Sequence, residues 1–452
     1  MGSSVNLSSI LSALGSSSSG INVQSAVAQE IAAEAQPEVQ WQKQQATLQT
    51  QSSAITAIES DITALQNSLN ALGDPAGAMA SMSATSSNSS LVSASVANGT
   101  ASGNHVVVVN KLATDASWYS SPVASSSTTL AAGTFNFQVG SGSAISITTG
   151  SGVNTLDQLV TYINGLGAGV SASVVNDASG ARLALVSTNT GAANNFTVSN
   201  GSGLSFTQAA TAQDASLTVD GIPIDSASNT VTGAVNGLTL NLNGAAPGTQ
   251  VNISVAPNQT EVSQAINSFI SAYNTVIGDV NTQYTVSSNH QEGPLAGDSA
   301  LSELQSQLLG AASYTTGSGS VSTLGALGIT MNSDGTLVVD SAKLSNAVQN
   351  NFGAVQSFLQ GTSANGFAAS LNTQLNMLVD PLSGAFTVDL SSISAENTDL
   401  QNQVNDFQTY LQARTIYLTN EYNQADISLQ ELPSLESQIN SELGYSPTTK
   451  TS

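Results

Sequence analysis

The chain has two histidines, the side chains that titrate near neutrality without help, so a search for acid–base chemistry starts with them. His105 opens the apolar run His105-Val106-Val107-Val108-Val109-Asn110, and His290 sits in a polar stretch beside Glu292. Serines abound, yet none lies in the strand-to-helix elbow that exposes a nucleophile. The sequence reads His105 as a sheet-edge residue and His290 as a solvated one. Metal-site spacing such as HExxH is absent. Asp177-Ala178-Ser179-Gly180 and Ser333-Asp334-Gly335 have turn chemistry, without the carboxylate density of a calcium loop. No Walker-type loop occurs, and Gly140-Ser141-Gly142 and Gly317-Ser318-Gly319 read as flexible turns. With no cysteine, disulfides and thiolate ligands are impossible. The expectation is a structural or binding protein, not an enzyme, with no cofactor and no metal.

Charge narrows the partners. The 452 residues carry 29 acidic and six Lys or Arg side chains, a formal net charge of −23. A chain so poor in cations cannot neutralise phosphates, which argues against nucleic acid, and anionic membrane surfaces repel it. No run of about 18 apolar residues occurs, so no membrane insertion is expected. Met1 to Ser19 lacks the basic start and continuous apolar core of a signal peptide, so export would use a route that cuts no such signal.

The elements that organise the chain are its two ends. Val404, Leu411, Leu418, Ala425, Leu432 and Ile439 recur every seven residues within a helix expected from about Leu390 to Leu443, and Phe407 and Leu435 add the position three later. Such a stripe is a coiled-coil seam, on a helix roughly 80 Å long. Trp41, Leu48, Ile55, Ile62 and Leu69 also step by seven, with Ile58, Leu65 and Leu72 three further on. The ends therefore carry matching seams, the C-terminal one longer. The excess must pair with residues before Trp41 or with another copy of the chain, so two readings stay open: an intramolecular hairpin, or a hairpin that adds subunit contacts through the unpaired excess. Arg414 and Glu421 interrupt the apolar seam. Either they fix register and partner there, so that Arg414→Leu would strengthen non-native helix pairing, or both face solvent.

Between the ends the period changes. From Ala78 to about Asn258 it is 2, with strands expected at Leu91–Val96, His105–Asn110, Gly133–Val139, Ala144–Thr148, Val170–Val175, Arg182–Ser187, Asn195–Ser199, Ala215–Val219, Leu238–Leu242 and Val251–Val255. A short helix, Thr155–Leu166, interrupts them. Helices are expected again at Glu261–Gln283, Ser299–Leu309 and Ser341–Leu359, around a hairpin within Leu324–Asp340. The expected class is a multidomain α+β fold: a coiled-coil and helical-bundle stalk built from both chain ends, with two inserted antiparallel β domains. The expected division is a terminal leg at 1–40 and 412–452, flexible at its ends. A helical bundle takes 41–77 and 259–411, a β domain 78–121 and 214–258, and an inserted β domain with the short helix 122–213.

Several stretches resemble one family. Gly20-Ile21-Asn22-Val23-Gln24-Ser25 followed by the seam to Leu72 resembles the start of flagellar filament cap proteins, the hook-associated protein 2 family. Leu217 to Ile222, Ser228 to Val231 and Val235 to Leu240 resemble its central β motif. Gly293-Pro294-Leu295-Ala296-Gly297-Asp298-Ser299, then Leu327 to Thr330 and Asp334 to Leu337, follow in the family's order. Thr155 to Asn164, Val170 to Ala172 and Leu183 to Ser187 resemble the small repeat of flagellin and hook-associated proteins. The serine-rich start is longer, and the last helix poorer in methionine, than the family pattern. The resemblance implies a homo-oligomer, commonly a pentameric ring, on the extracellular distal tip of the filament. It implies flagellin, the filament end and a flagellar export chaperone as partners, and in some members adhesion to a host mucin or surface. The expected interface residues are Val404, Phe407, Leu411, Arg414, Leu418, Glu421, Leu432, Leu435 and Ile439.

Overall fold

The structure is a computed structural model that describes residues 22–286, 292–317, 319–361 and 365–442. His290, the serine-rich start and the tail Tyr445–Ser452 lie outside the described residues. The described residues begin in helix. Asn22 caps α1 (Val23–Glu34), its side-chain oxygen accepting the Ser25 amide at 3.0 Å. Pro37 does not break the path. It sits in the first turn of α2 (Gln36–Gly73), where its missing N–H would have had no partner anyway.

Strands follow. They are β1 (Met82–Ser86), β2 (Val92–Val96), β3 (Gly103–Lys111), β4 (Ser117–Ser120), β5 (Gly133–Val139) and β6 (Ile145–Thr149). Thr155 then caps α3 (Leu156–Leu166). After it come β7 (Val170–Asp177), β8 (Gly180–Ser187), β9 (Phe196–Val198), β10 (Phe206–Ala210), β11 (Ala215–Val219) and β12 (Ile222–Ser226). The series ends with β13 (Thr230–Val235), β14 (Leu238–Leu242) and β15 (Val251–Pro257).

These strands build two antiparallel units. In the outer one, a sheet ordered β1-β15-β3-β11-β12 and a sheet ordered β13-β14-β2 bury Val107, Leu217, Leu240 and Ile253. In the inner one, sheets β10-β4-β8-β7 and β6-β5-β9 share a core with α3 that includes Phe135, Phe137, Leu159 and Phe196. Strand β4 pairs with β8 and β10, so the boundary expected at residue 121 falls inside the inner unit. The cause is the composition of β4. Serines flank its Trp118 and Tyr119, and its buried Ser120 is held by the Leu183 amide through a 2.9 Å bond to Oγ, so no apolar alternation marks it.

Each unit leaves and rejoins the chain through neighbouring strands. Met82 opposite Pro257 closes the outer unit, and β3 beside β11 closes the inner one. Two paired strands at each neck offset the chain entropy of closing so long a loop. His105 lies on β3, a strand inside its sheet rather than at the edge, so the sheet-edge reading is corrected. Its Nδ1 stands 2.7 Å from Asp220 Oδ2 in the β11–β12 turn, and Asp220 Oδ1 accepts the Val106 amide at 2.8 Å. These bonds, that to His105 first, hold the Asp220 carboxyl below the usual range. Among the described residues no hydroxyl bonds the other ring nitrogen. The pair ties a turn to its neighbouring strand.

The helical bundle comes from both sides of the β units. To α2 it adds α4 (Gln259–Tyr284), α5 (Ser299–Ala311), the hairpin β16 (Ile329–Met331) with β17 (Leu337–Val339), and α6 (Ser341–Asn350). It also adds α7 (Phe352–Gln360), α8 (Phe367–Val379) and the 58-residue α9 (Ala385–Glu442). The single helix expected over Ser341–Leu359 is two, because Asn351 leaves the helical region at φ −134° and ψ 32°. Helix α8 has no counterpart in the sequence reading. Ile55, Ile58, Ile62, Leu65, Leu69 and Leu72 of α2 pack against α4 and α8 in this core.

Asparagine does much of the joining. Asn164 bonds both backbone groups of Ala172, joining α3 to β7 (Nδ2 to O 3.0 Å, N to Oδ1 2.8 Å). Asn229 grips Ala113 the same way at 2.9 and 2.8 Å, and Asn274 grips Leu337 at 2.8 and 2.7 Å, joining α4 to β17. A carboxamide carries a peptide group's donor and acceptor, so each clamp acts as one rung of a ladder between unlike elements. Asn274→Ala strands both backbone groups of the buried Leu337. It should lower unfolding stability by roughly 1–3 kcal/mol in a denaturant titration, whereas Asn274→Asp, keeping the acceptor, should lose less.

Candidate assembly interface on the terminal leg

The leg is α1 laid against α9. Val23, Val27 and Ile31 of α1 form a core with Leu411 and Leu418, and Phe407 and Tyr422 close its edges. Their spacing of three or four and of seven puts each set on one helix face. Beside the leucines, Thr415 and Thr419 are buried, and each hydroxyl donates to the carbonyl four residues earlier at 2.7 Å. Nearer the bundle the partner changes to α2. The Trp41 and Phe407 rings meet edge-on with centroids 5.3 Å apart, and Gln45 donates to Gln401 at 3.3 Å. The seams of α2 and α9 thus meet only at the leg end of α2, whose later heptads turn into the bundle core.

Polar contacts fix the register. Arg414 Nε donates to Glu34 Oε1 at 3.0 Å, and its Nη2 lies 3.6 Å from Glu30 Oε1. Its guanidinium also stands over the Tyr417 ring, 5.5 Å from the centroid. Tyr422 donates to Glu30 at 3.0 Å, and Gln408 donates to Glu38 at 2.7 Å. Glu34 holds the Arg414 guanidinium charged, and acceptance by Glu30 raises the Tyr422 hydroxyl above the usual range. The order Glu38–Gln408, Glu34–Arg414, Glu30–Tyr422 makes the helices antiparallel. The ion pair is only partly exposed, and Glu34 Oε2 is buried beside it without a partner, so the pair contributes little net stability. A buried Leu or Ile contributes roughly 1.5–3 kcal/mol, so the apolar seam holds α1 down and the charges choose its alignment.

The structure divides the residues singled out in the sequence. Val404, Leu411 and Leu418 are buried inside the chain, and Phe407 is half-buried against Trp41. Arg414 serves α1 of the same chain. Glu421 is exposed, as are Ala425 and, each near half of its surface, Leu432, Leu435 and Ile439. Helix α9 continues through Pro433 to Glu442, past the level at which α1 begins. Ile427 and Leu429, outside the heptad count, are exposed on this same stretch. Thr415, Thr419, Glu30 and Glu34 were missed by a reading that followed apolar spacing alone. Only the charge of Arg414 in the seam pointed towards the two glutamates.

Among the described residues no group of three or more His, Cys, Asp or Glu side chains could hold a metal ion, and no helix is long and apolar enough to cross a membrane. The fold defines a class: two nested β units carried on a helical bundle whose leg pairs α1 with α9. Family models identify the class. The model for the flagellar hook-associated protein 2 N-terminus matches residues 19–116, and that for its C-terminus matches residues 212–434. A third, the flagellin hook IN motif, matches residues 134–189, over α3 and the hairpin of β7 and β8. The chain belongs to the flagellar hook-associated protein 2 family.

Relatives agree along most of its length. The B-type flagellar hook-associated protein 2 of Pseudomonas aeruginosa is 28% identical over 397 residues, 80% of this chain and 83% of that protein. The flagellar hook-associated protein 2 of Escherichia coli K12 is 26% identical over 339 residues, 69% and 72% of the two chains. The crystal structure of the flagellar cap protein FliD D1-D2-D3 domains from Escherichia coli superposes with a TM-score of 0.57 at 27% identity. It covers 75% of this chain and 99% of that one.

Leu418→Ala should release α1 from α9, costing the leg roughly 2–5 kcal/mol and removing hydrogen-exchange protection from residues 23–34. Arg414→Leu should leave most of that protection in place.

Proposed function

We propose that this chain is the cap at the extracellular distal tip of a flagellar filament, where it retains exported flagellin and promotes its folding and insertion without covalent chemistry. Membership of the family at both chain ends is the observation that carries this reading. The leg supports it, because a long helix bearing Leu432, Leu435 and Ile439 on its surface suits contacts with a helical filament end. The proposed working assembly is a homo-oligomeric ring, pentameric by family resemblance, with a flagellar export chaperone engaging the chain before export. In this reading the leg is 1–40 and 412–452 and the bundle is 41–77 and 259–411. The β units between them form the plate, which could double as an adhesin surface for a host mucin.

Deleting the gene in its host should leave short or missing filaments, by electron microscopy, with monomeric flagellin in the medium. Normal filaments would sink the cap reading in favour of an adhesin without an assembly role. In a complemented strain, replacing Leu432, Leu435 and Ile439 together with serine should keep the thermal stability of the bundle while losing most filament growth. Wild-type growth from that variant would remove the far end of α9 from the interface.

A further inference from the structure

Six asparagines of the chain are followed by glycine: Asn98, Asn164, Asn200, Asn236, Asn243 and Asn365. In such a pair the glycine nitrogen can close on the side-chain carboxamide, because the attack is intramolecular and glycine has no side chain to obstruct it. The nitrogen must shed its proton and turn towards the carboxamide. An acceptor already bonded to its N–H opposes both. Five of the six glycines are held in this way. Gly99 donates to Ala80 at 2.8 Å, Gly201 to Leu204 at 3.0 Å, Gly244 to Leu91 at 3.2 Å and Gly366 to Gln360 at 3.2 Å. Gly165 lies inside α3, where amides serve the helix ladder. Three of the carboxamides are tied as well. Asn164 accepts the Ala172 amide at 2.8 Å, Asn200 accepts the Phe206 amide at 2.8 Å, and Asn243 donates to the Ser89 carbonyl at 2.9 Å.

Asn236 and Gly237 are placed otherwise. They form the two-residue turn between β13 and β14, closed by Val235 opposite Leu238. Both are exposed. Among the described residues the Gly237 amide has no acceptor and the Asn236 carboxamide has no partner. The fold also fixes the glycine. Gly237 has φ +76°, and a Cβ there would run into Thr100 Oγ1. Its carbonyl accepts the Ala97 amide at 2.9 Å, which seats the turn on the chain just past β2.

We propose that the fold selects Asn236 as a self-modifying site, which converts to aspartate and isoaspartate while the chain stays folded. The Gly237 nitrogen bonds to Asn236 Cγ, the carboxamide C–N bond breaks, and ammonia leaves with the displaced proton. Water then opens the succinimide ring at either carbonyl. One opening gives aspartate, and the other gives isoaspartate, with the backbone routed through the former side chain. Water is the only co-reactant. Either product adds a negative charge at the turn to a chain already at −23. Isoaspartate also adds a backbone carbon, which pulls against both the tight turn and the bond from Ala97 to Gly237. The hairpin of β13 and β14 is therefore where the outer unit changes with age.

The test holds the full chain folded for weeks in warm, mildly alkaline buffer, then digests it and maps the peptides by mass spectrometry. Conversion adds one mass unit, and backbone fragmentation tells isoaspartate from aspartate. Asn236 should convert several-fold faster than the other five asparagines, up to roughly ten-fold, since a held N–H must first be released there. In denaturant that lead should vanish, because the bonds that set the six apart are gone. Asn236→Gln keeps the amide, but its longer side chain closes a ring far more slowly, so the early mass gain should disappear. Two results would overturn the proposal: a folded chain in which Asn236 converts no faster than the other five, and a lead that persists undiminished in denaturant.

Discussion

The burial of one apolar seam on α2 is the interaction on which the other elements depend. Helix α2 meets α9 through Trp41, then α4 and α8 through the isoleucines and leucines from Ile55 to Leu72. It is thus shared by the leg and the bundle, and it delivers the chain to the first strand. Its partners come from residues two to four hundred positions later. The contacts of α2 in the bundle therefore span both β units in sequence. The neck strands β1 and β15, and within them β3 and β11, bring those distant segments together.

Much of this could be read from the sequence because the helices announce themselves by period. The heptads of α2 and α9 and the alternation of β5 and β8 state a local preference that packing then confirms. Where the reading failed, local preference was silent or misleading. Strand β4 is flanked by serines, and the break at Asn351 has no glycine or proline to mark it. Helix α8 begins behind Gly366 with no side-chain cap. Arg414 and Glu421 aside, the seam of α9 repeats over five heptads, but whether a given heptad is covered depends on where α1 begins, and no property of α9 records that.

The leg residues show the same limit at finer scale. Period alone gave Val404, Leu411 and Leu418, and these are indeed the inward face. Period could not show that Arg414 answers Glu30 and Glu34, because that pairing spans some 380 positions and is set by the register of two helices. Nor could it anticipate Thr415 and Thr419, which pass as buried residues because each turns its hydroxyl back on its own helix.

The asparagine clamps have a consequence for the medium in which such a protein works. With six basic side chains, the chain has little scope for joining its parts by opposite charges, and it joins several of them by neutral amides instead. Dissolved ions screen charges over about 10 Å at 0.1 M, but they leave an amide-to-peptide bond nearly untouched. Those joints hold in dilute water and in brine alike. Ionic strength is then felt chiefly between molecules. Copies that each carry a net charge of −23 stay apart in dilute solution and approach one another as the medium becomes saltier.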